Sequence, residues 1–313
     1  MHETRERILT AIADGPVSGP ELASTLDVSR AAVWNHVEGL RESGFTITSG
    51  DDGYTLTGVP DFGGAAVEYD LDAPFEVEYH DAIPSTNARA RELAAEGATD
   101  VAVLADEQTG GRGRLDRAWV SPSGGIWLSV LFRPDVPMAG TPVFTLAAAV
   151  AVTRAAREAG IEAVIKWPND VLVEIDGTER KLVGILTEME GEADRVSWVV
   201  VGIGINANVD PDALPADAEP TSLSAVRGDP VDRRRFTQRV LETFDTVGSD
   251  PDAVLEAWRE YATTLGRAVR IDTPDGELVG DAVDIEYPGS LVVDTGDERV
   301  TVAAGDCEHL RPL

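Results

Sequence analysis

The chain has 313 residues, with 26 Lys and Arg set against 56 Asp and Glu, for a formal net charge of −30. That length gives room for two or three domains with an ample core. The acids run along the whole chain, which excludes a disordered acidic tail as the source of the charge. A single cysteine, Cys307, excludes an intramolecular disulfide framework and fits a reducing compartment. No apolar run approaches the roughly 20 residues of a membrane span, and no signal-peptide core is visible, so a soluble, cytoplasmic protein with no membrane partner is expected. Acid-rich, lysine-poor composition is what a halophilic cytoplasm selects, because at 1 M salt a Debye length of about 3 Å screens self-repulsion.

Residues 4–14 place Ile8, Leu9 and Ile12 at helical spacing, and Gly15-Pro16 ends the pattern. Ser18-Gly-Pro20 opens a second short helix. Ser29 caps a third, from Arg30 to Ser43, with Val33, Val37 and Leu40 on one face and Gly44 as its stop. Phe45–Thr48 and Tyr54–Thr57 alternate across a turn and predict a hairpin. Three helices and a hairpin describe a winged helix-turn-helix over 1–58, whose third helix presents Arg30, Ala31, Trp34 and Asn35 to DNA. Winged helices also serve as protein-interaction modules. Nine acids against four arginines give this segment a charge of −5, the wrong sign for a phosphate partner, although in concentrated salt the phosphate contribution is weak for any protein.

Residues 59–75, beginning Val59-Pro-Asp-Phe-Gly-Gly, are expected to be a linker. A core over 76–265 follows. Its predicted elements are strands at Glu76–Tyr79 and Val101–Ala105, a helix from Pro84 to Glu96, and a buried strand at Gly125–Phe132. An alanine-rich helix spans Thr145–Ala159. Next come a strand at Val164–Trp167, a hairpin turning at Asp176-Gly177, and a central strand at Val196–Ile205. Two amphipathic helices at Arg233–Val247 and Asp252–Leu265 complete the core. From 266 to 313 short alternating runs, broken by Pro274-Asp-Gly, Tyr287-Pro-Gly and Asp294-Thr-Gly, predict a small β-barrel of about five strands.

Gln108-Thr-Gly-Gly-Arg-Gly-Arg-Leu-Asp-Arg-Ala-Trp119 is the densest chemical signal. Three glycines and three arginines fall between Gly110 and Arg117. Glycine lets backbone N–H groups approach a ligand, and the guanidinium fork fits phosphate and carboxylate oxygens. A solvated turn would carry the same residues. Composition sharpens the choice elsewhere. The chain retains two lysines, Lys166 and Lys181, and both flank strand-like runs. A compact ammonium is what those two places share. Gly202-Ile-Gly-Ile-Asn206 lacks the third glycine and the strand–turn–helix context of a dinucleotide fingerprint, and no P-loop is present. His2, His36, His80 and His309 form no Ser/His/Asp pattern. Cys307 with His309 is too little for a metal site, so no metal ligands are assigned.

Five motifs in order carry a resemblance to the bifunctional biotin–protein ligase and biotin-operon repressor family: Ser85-Thr-Asn87, Gly111-Arg-Gly-Arg114, Lys166-Trp-Pro-Asn-Asp170, Arg180-Lys-Leu-Val-Gly-Ile185 and Gly202-Ile-Gly-Ile-Asn206. The resemblance covers nearly the whole chain. It implies an α+β fold: a winged helix-turn-helix, a mixed-sheet core related to class II aminoacyl-tRNA synthetases, and an SH3-like barrel. It implies that biotin and Mg-ATP give biotinyl-5′-AMP, and that a lysine of a biotin carboxyl carrier protein then takes the biotin. By resemblance Ser85, Thr86, Asn87, Gln108, Arg112, Gly113, Arg114, Lys181, Gly184, Gly202 and Gly204 hold biotin. Gly111, Arg112, Arg114, Arg117, Trp119, Asn169 and Asn206 hold the nucleotide. Lys181, Arg114, Lys166 and Asp170 serve the chemistry, with Mg2+ as cofactor. A DNA operator is the implied partner of 1–58, and a homodimer the implied assembly. Leu115-Asp116 departs from the more basic, glycine-rich continuation of the repressor members, in a loop that supports their dimerisation. Two alternatives stand beside this reading. One is a lipoate-type acyl-adenylating protein ligase, and the other a ligand-sensing regulator that does not ligate.

Overall fold

The computed structural model describes residues 3–192, 194–274 and 276–310, and it divides into two compact units, Met1–Asp72 and Ala73–Leu313. In the first, α1 (Glu3–Ala13), α2 (Gly19–Leu26) and α3 (Arg30–Glu42) precede a hairpin of β1 (Thr46–Gly50) and β2 (Gly53–Gly58). The helix starts have a local cause. Ser18 Oγ accepts from Glu21 N–H at 3.3 Å, and Ser29 Oγ accepts from Ala32 N–H at 3.1 Å. Caps of this kind are worth about 1 kcal/mol each. Ile8, Leu9 and Ile12 meet Leu22, Val33, Val37 and Leu40 in one buried core, closed by Phe45 and Ile47. Gly44, at φ 91°, takes the left-handed conformation that turns the chain out of α3.

The stretch expected to be a linker is partly built into this unit. Gly64–Glu68 forms α4, with Ala66 and Val67 buried, and Tyr69 meets Phe45 edge-on with ring centroids 5.8 Å apart. Five residues, four of them glycine, alanine or valine, are too short to display a helical period, so composition alone reads them as loop.

The second unit is built on a seven-stranded mixed sheet. Its strands in chain order are β3 (Glu76–Ile83), β4 (Val101–Gln108), β5 (Ile126–Phe132), β6 (Ala163–Lys166), β7 (Asp170–Ile175), β8 (Thr178–Glu192) and β9 (Arg195–Ile205). The spatial order is β3-β4-β5-β9-β8-β7-β6, with β3 and β4 parallel and the other neighbours antiparallel. The near-continuous apolar run of β9 lies at the centre, with strands on both sides and buried residues on both faces. Helix α5 (Thr86–Ala95) covers one face. Helix α6 (Pro142–Glu158) packs on the other, and α8 (Arg233–Gly248) and α9 (Pro251–Tyr261) lie against α6. A short α7 (Leu223–Arg227) precedes α8.

Two expectations are corrected here. Helix α6 starts three residues before Thr145, because Pro142 is well suited to a first helical turn. Met138–Glu158 is also long and apolar enough to cross a membrane by length and composition, against the expectation that no such run exists. In the fold 72% of its apolar window is buried inside the protein, which is what an alanine-rich helix between a sheet and two further helices requires.

The C-terminal sheet is antiparallel, with order β13-β12-β11-β10-β14, formed by β10 (Ala268–Thr273), β11 (Gly276–Glu286), β12 (Ser290–Asp294), β13 (Arg299–Val302) and β14 (Asp306–His309). Among the described residues no ladder joins β13 to β14, so the expected barrel is not closed by hydrogen bonding. Asp275, in one of its expected turns, lies outside the described residues.

This sheet is fastened to the core at Glu179 on β8. His309 Nδ1 lies 3.1 Å from Glu179 Oε2, Arg267 Nη1 lies 2.9 Å from Oε1, and the Thr263 hydroxyl donates to Oε1 at 3.2 Å. Trp167 Nε1–H donates to Gly289 O at 3.0 Å, at a second point of attachment. The His309 hydrogen bond, with Arg267 behind it, holds the Glu179 carboxyl down at about 2. A depressed carboxylate stabilises the fold fully above its unfolded value near 4.5, and that contribution is lost as pH falls towards about 2. Glu179→Gln should therefore lower the Tm at neutral pH and flatten the loss of Tm between about pH 4.5 and pH 2; calorimetry across that range measures both.

A glycine-floored cavity and an arginine loop

Alternation along β9 puts Trp198, Val200, Gly202 and Gly204 on one face. Over Trp198 and Val200 the face is covered by Ala90 and Ala94 of α5, packed together with Val101, Val103 and Leu131. Beyond Val200 the side chains stop. Gly204 pairs across the ladder with Gly184, and Gly202 with Leu186. Glycine inside a strand weakens it and marks close approach by another group. Two groups make that approach here. A Cβ at Gly204 would stand 2.5 Å from Trp119 Nε1, and one at Gly184 would stand 2.9 Å from the same indole ring. A Cβ at Gly202 would collide with the Asn87 carboxamide. Above this floor opens a cavity of about 1350 Å³.

At one end of the cavity the lining is polar. Ser85 caps α5 by accepting from Ala88 N–H at 3.3 Å, and it also lines the cavity, so the structural and site roles coincide. Gln108 Oε1 accepts from Thr86 N–H at 2.8 Å and from the Thr86 hydroxyl at 3.0 Å. Gln108 Nε2–H donates to Ser121 Oγ at 3.0 Å, and Ser121 donates to Trp119 O at 3.1 Å. Ser129 Oγ lies 2.7 Å from Thr86 Oγ1 and 2.6 Å from Asn87 Oδ1. Ser121 and Ser129 were not singled out in the sequence. Ser129 had a readable signal: it is the one polar residue in Ile126–Phe132, it is fully buried, and a buried hydroxyl needs partners.

The arginine loop is a tight hairpin. Gln108 bridges to Ser121 and Arg112 to Ala118, Trp119 N–H donates to Gly111 O at 2.9 Å, and Gly113 N–H donates to Arg117 O at 2.8 Å. Gly111 does not line the cavity. A Cβ there would collide with Trp119 O, so its bare backbone is what lets the two limbs close. Gly113 does line it. Arg114 reaches inward: Nη1–H donates to Asn169 Oδ1 at 3.0 Å and Nη2–H to Gly305 O at 2.8 Å. Arg117 pairs with Asp306 at 2.5 Å, and the exposed Arg112 with Asp116 at 3.3 Å. Leu115 and Asp116 both sit at φ 55°, a conformation that costs a bulky side chain of order 1–3 kcal/mol, and Leu115 is 72% exposed.

Opposite the loop, a β-bulge breaks the β7–β8 register between Val171 and Leu172, next to Lys181. Lys181 and Gly184 are three residues apart and would face opposite sides of a regular strand. The bulge re-aims the chain so that both face Trp119. The Lys181 backbone is pinned by Glu219 O and Thr221 N–H, each at 2.9 Å. Its Nζ lies 2.8 Å from Asp170 Oδ1 and 5.2 Å from the centre of the Trp119 ring. The Asp170 contact is an ion pair outside hydrogen-bond geometry, and Asp170 Oδ1 remains without a hydrogen-bond partner. Asn169 is fixed by Ile185 O, to which its Nδ2–H donates at 2.9 Å. Asn206 Oδ1 and Trp119 Nε1 are buried polar atoms with no partner, and both residues line the cavity. An orphaned acceptor and an orphaned donor in one lining suit a polar ligand.

Lys166 is the site candidate that the structure leaves aside. It ends β6 in register with Asp170, but it does not line the cavity. Cys307 is buried, and burial pushes its thiol up to about 11, so it has no thiolate character to offer. No group of three or more His, Cys, Asp or Glu is arranged as a metal site among the described residues. In the first unit, Arg30, Ala31, Trp34 and Asn35 are all exposed along one side of α3, and Trp34 is 56% exposed.

Comparison with known proteins bears on the whole chain. A model of the biotin/lipoate A/B protein ligase family matches residues 79–206, an HTH domain model matches 4–55, and a model of the biotin protein ligase C terminal domain matches 264–310. The bifunctional ligase/repressor BirA of Bacillus subtilis is 38% identical over 312 residues, covering 93% of each chain. The biotin--[acetyl-CoA-carboxylase] ligase of Mycobacterium tuberculosis is 36% identical over 241 residues, 72% of this chain and 86% of that one. Among solved structures, the biotin protein ligase from Aquifex aeolicus in complex with biotin and ATP superposes with a TM-score of 0.63 at 25% identity, covering 75% of this chain and 99% of that one. With a helix-turn-helix unit, a glycine-floored core and a small C-terminal sheet each matched in order, the chain belongs to the family of bifunctional biotin–protein ligases and repressors.

Proposed function

We propose that this chain activates biotin with ATP to biotinyl-5′-AMP and transfers the biotinyl group to a lysine of a biotin carboxyl carrier protein. The observation that carries the reading is Lys181: a bulge aims its ammonium into a cavity with hydrogen-bonding groups at one end and Arg114 at the other. Thr86, Asn87 and Gln108, with Ser85, suit the polar ring system of biotin. Trp119, seated on the bare backbone of Gly184 and Gly204, suits the nucleotide, with its ring as a cover for the adenine. The orphaned Asn206 Oδ1 and Trp119 Nε1 would gain partners from biotin or the nucleotide.

In the first step a biotin carboxylate oxygen attacks the α-phosphorus. The new P–O bond forms as the bond to the β-phosphate bridging oxygen breaks, and pyrophosphate leaves. Two anions must meet, so the main demand is charge neutralisation and alignment. Lys181 answers it by donating to the carboxylate oxygen and lying beside the charge on the phosphate. Arg114, with Arg112, Gly113 and Arg117, supplies further donors for the phosphates. Asp170 orients Lys181 through the 2.8 Å ion pair. Mg2+ would enter held mainly by the ATP phosphates. In the second step the carrier amine attacks the acyl carbon, a C–N bond forms, AMP leaves and a proton is released. The Lys181 ammonium is placed to stabilise the oxyanion that forms on the way. Lys166, at the strand end outside the cavity, would serve the incoming carrier rather than the nucleotide.

The working division is 1–58 for DNA, 76–265 for ligation and 266–313 as the sheet that receives Arg114 and Arg117. Exposure of Arg30, Ala31, Trp34 and Asn35 supports operator binding by α3. A homodimer, a cytoplasmic location and a salt-rich cell complete the reading, the last resting on the −30 charge.

Pyrophosphate release in molar KCl with Mg-ATP should occur with biotin and not with lipoate; release with lipoate alone would move the assignment to the sister activity. Lys181→Ala should lower kcat/KM roughly 100- to 1000-fold while leaving the Tm within a few degrees. Gly204→Ala, which pushes on Trp119, should raise KM for biotin and ATP about tenfold or more, and steady-state kinetics in both substrates checks it. Removing the exposed side chains with Arg30→Ala and Trp34→Ala should abolish operator retardation in a gel and leave pyrophosphate release intact.

A further inference from the structure

The polar end of the cavity has an anchor that the reaction above does not use. Glu188, on β8 opposite Val200, accepts from Asn87 Nδ2–H at 2.7 Å through Oε2, while its Oε1 lies 3.2 Å from Arg91 Nη1. The second hydrogen of Asn87 Nδ2 goes to Leu186 O at 3.3 Å. Asn87 itself is 8% exposed and rests on the bare backbone of Gly202. Its carboxamide is therefore clamped at the nitrogen end by a carboxylate and a carbonyl, and at the oxygen end by Ser129.

The direction of these hydrogen bonds follows from donor and acceptor capacity. A carboxylate and a carbonyl only accept, so Asn87 must turn its NH2 towards Glu188 and Leu186. Its Oδ1 then faces Ser129. Ser129 has one hydroxyl proton and two oxygen neighbours, Asn87 Oδ1 and Thr86 Oγ1, and it cannot give that proton to both. Asn87 Oδ1 has no hydrogen to offer, so it takes the Ser129 proton. The Thr86 proton is then free to go to Ser129 Oγ or to Gln108 Oε1. Either way it points into the wall, and a Thr86 lone pair is left for the cavity.

We propose that Glu188 is the positioning residue of the biotin subsite: by accepting from Asn87 it fixes the carboxamide and, through Ser129, makes the Thr86 end of the cavity an acceptor that selects a ligand carrying ring N–H donors. The inference rests on the biotin reading and adds to it a lining residue that acts through Asn87. Sequence gives no hint of it, because Glu188 stands among exposed acids at the end of a strand, one of 56.

The test separates hydrogen-bond acceptance from charge. Glu188→Gln keeps an acceptor oxygen and loses the charge towards Arg91. Glu188→Met keeps the length and loses both. Full-length wild type and both variants are compared for pyrophosphate release, varying biotin and ATP in turn, with Tm recorded for each. Glu188→Met should raise KM for biotin about tenfold, with kcat and KM for ATP unchanged and the Tm close to wild type. Glu188→Gln should restore KM for biotin to within about threefold of wild type. Equal effects in Gln and Met would mean that charge, not acceptance, is at work and would overturn the proposal, as would wild-type KM in both. A loss of kcat or of ATP affinity alongside biotin affinity would also overturn it, by pointing to a general structural role. If wild type itself releases no pyrophosphate with biotin, the biotin reading fails first, and that outcome is distinct from either variant result.

Discussion

The absence of three side chains from the middle of a sheet is the constraint around which the core is arranged. Gly184, Gly202 and Gly204 leave backbone bare on the face that α5 covers further along. A continuous apolar face there would have drawn the helix across it and filled the space, since fully burying one Val or Leu is worth roughly 1.5–3 kcal/mol. Instead the apolar contact of α5 ends at Val200, its first-turn Asn87 rests on Gly202, and the Ser85 cap stands at the rim of the gap. The glycines weaken the central strands, and the surrounding structure compensates: β9 has a partner on each side, and α6 seals the opposite face with a dense row of alanines.

Polar groups around the gap are held by one another, and this gives the site its rigidity. Gln108 spends its carbonyl on Thr86 and its amide on Ser121. Asn169 joins the loop to the sheet, because it receives Arg114 on one side and donates to Ile185 O on the other. The arginine loop is tied in the same way to the C-terminal sheet through Gly305 O and Asp306. Its inner limb is ordered by hydrogen bonds, and its tip, at Leu115 and Asp116, is exposed in a left-handed conformation.

Much of this was legible from local chemistry. Ser29 before an apolar-periodic run gives α3 because capping is a local interaction, and Asp176-Gly177 gives the β7–β8 turn because few residues accept that backbone. The motifs at Ser85–Asn87, Gln108–Trp119, Asn169-Asp170, Lys181–Gly184 and Gly202–Asn206 converge on one cavity. What was not legible depends on distant partners. Ser129 looks like a stray polar residue until Thr86 and Asn87 arrive beside it, 43 and 42 residues away. Glu188 needs Asn87, 101 residues away. Lys166 was singled out by scarcity, but scarcity carries no direction, and the strand end places it outside the lining. The helix at Gly64–Glu68 was missed because its few buried atoms matter only once Phe45 and its neighbours form a surface to meet them.

Lys181 is held by Asp170 and covered by Trp119, with 24% of its side chain accessible, and Lys166 is half-buried at the end of β6. A mixed anhydride such as biotinyl-5′-AMP reacts with whatever amine it meets. A catalyst with a surface rich in lysine would stand among the first targets of its own product. This chain has two side-chain amines in all, neither of them freely exposed, and 24 guanidiniums, which stay protonated and do not compete as nucleophiles. The same composition makes it a poor substrate for itself, so that the carrier's lysine meets little competition from the enzyme that serves it.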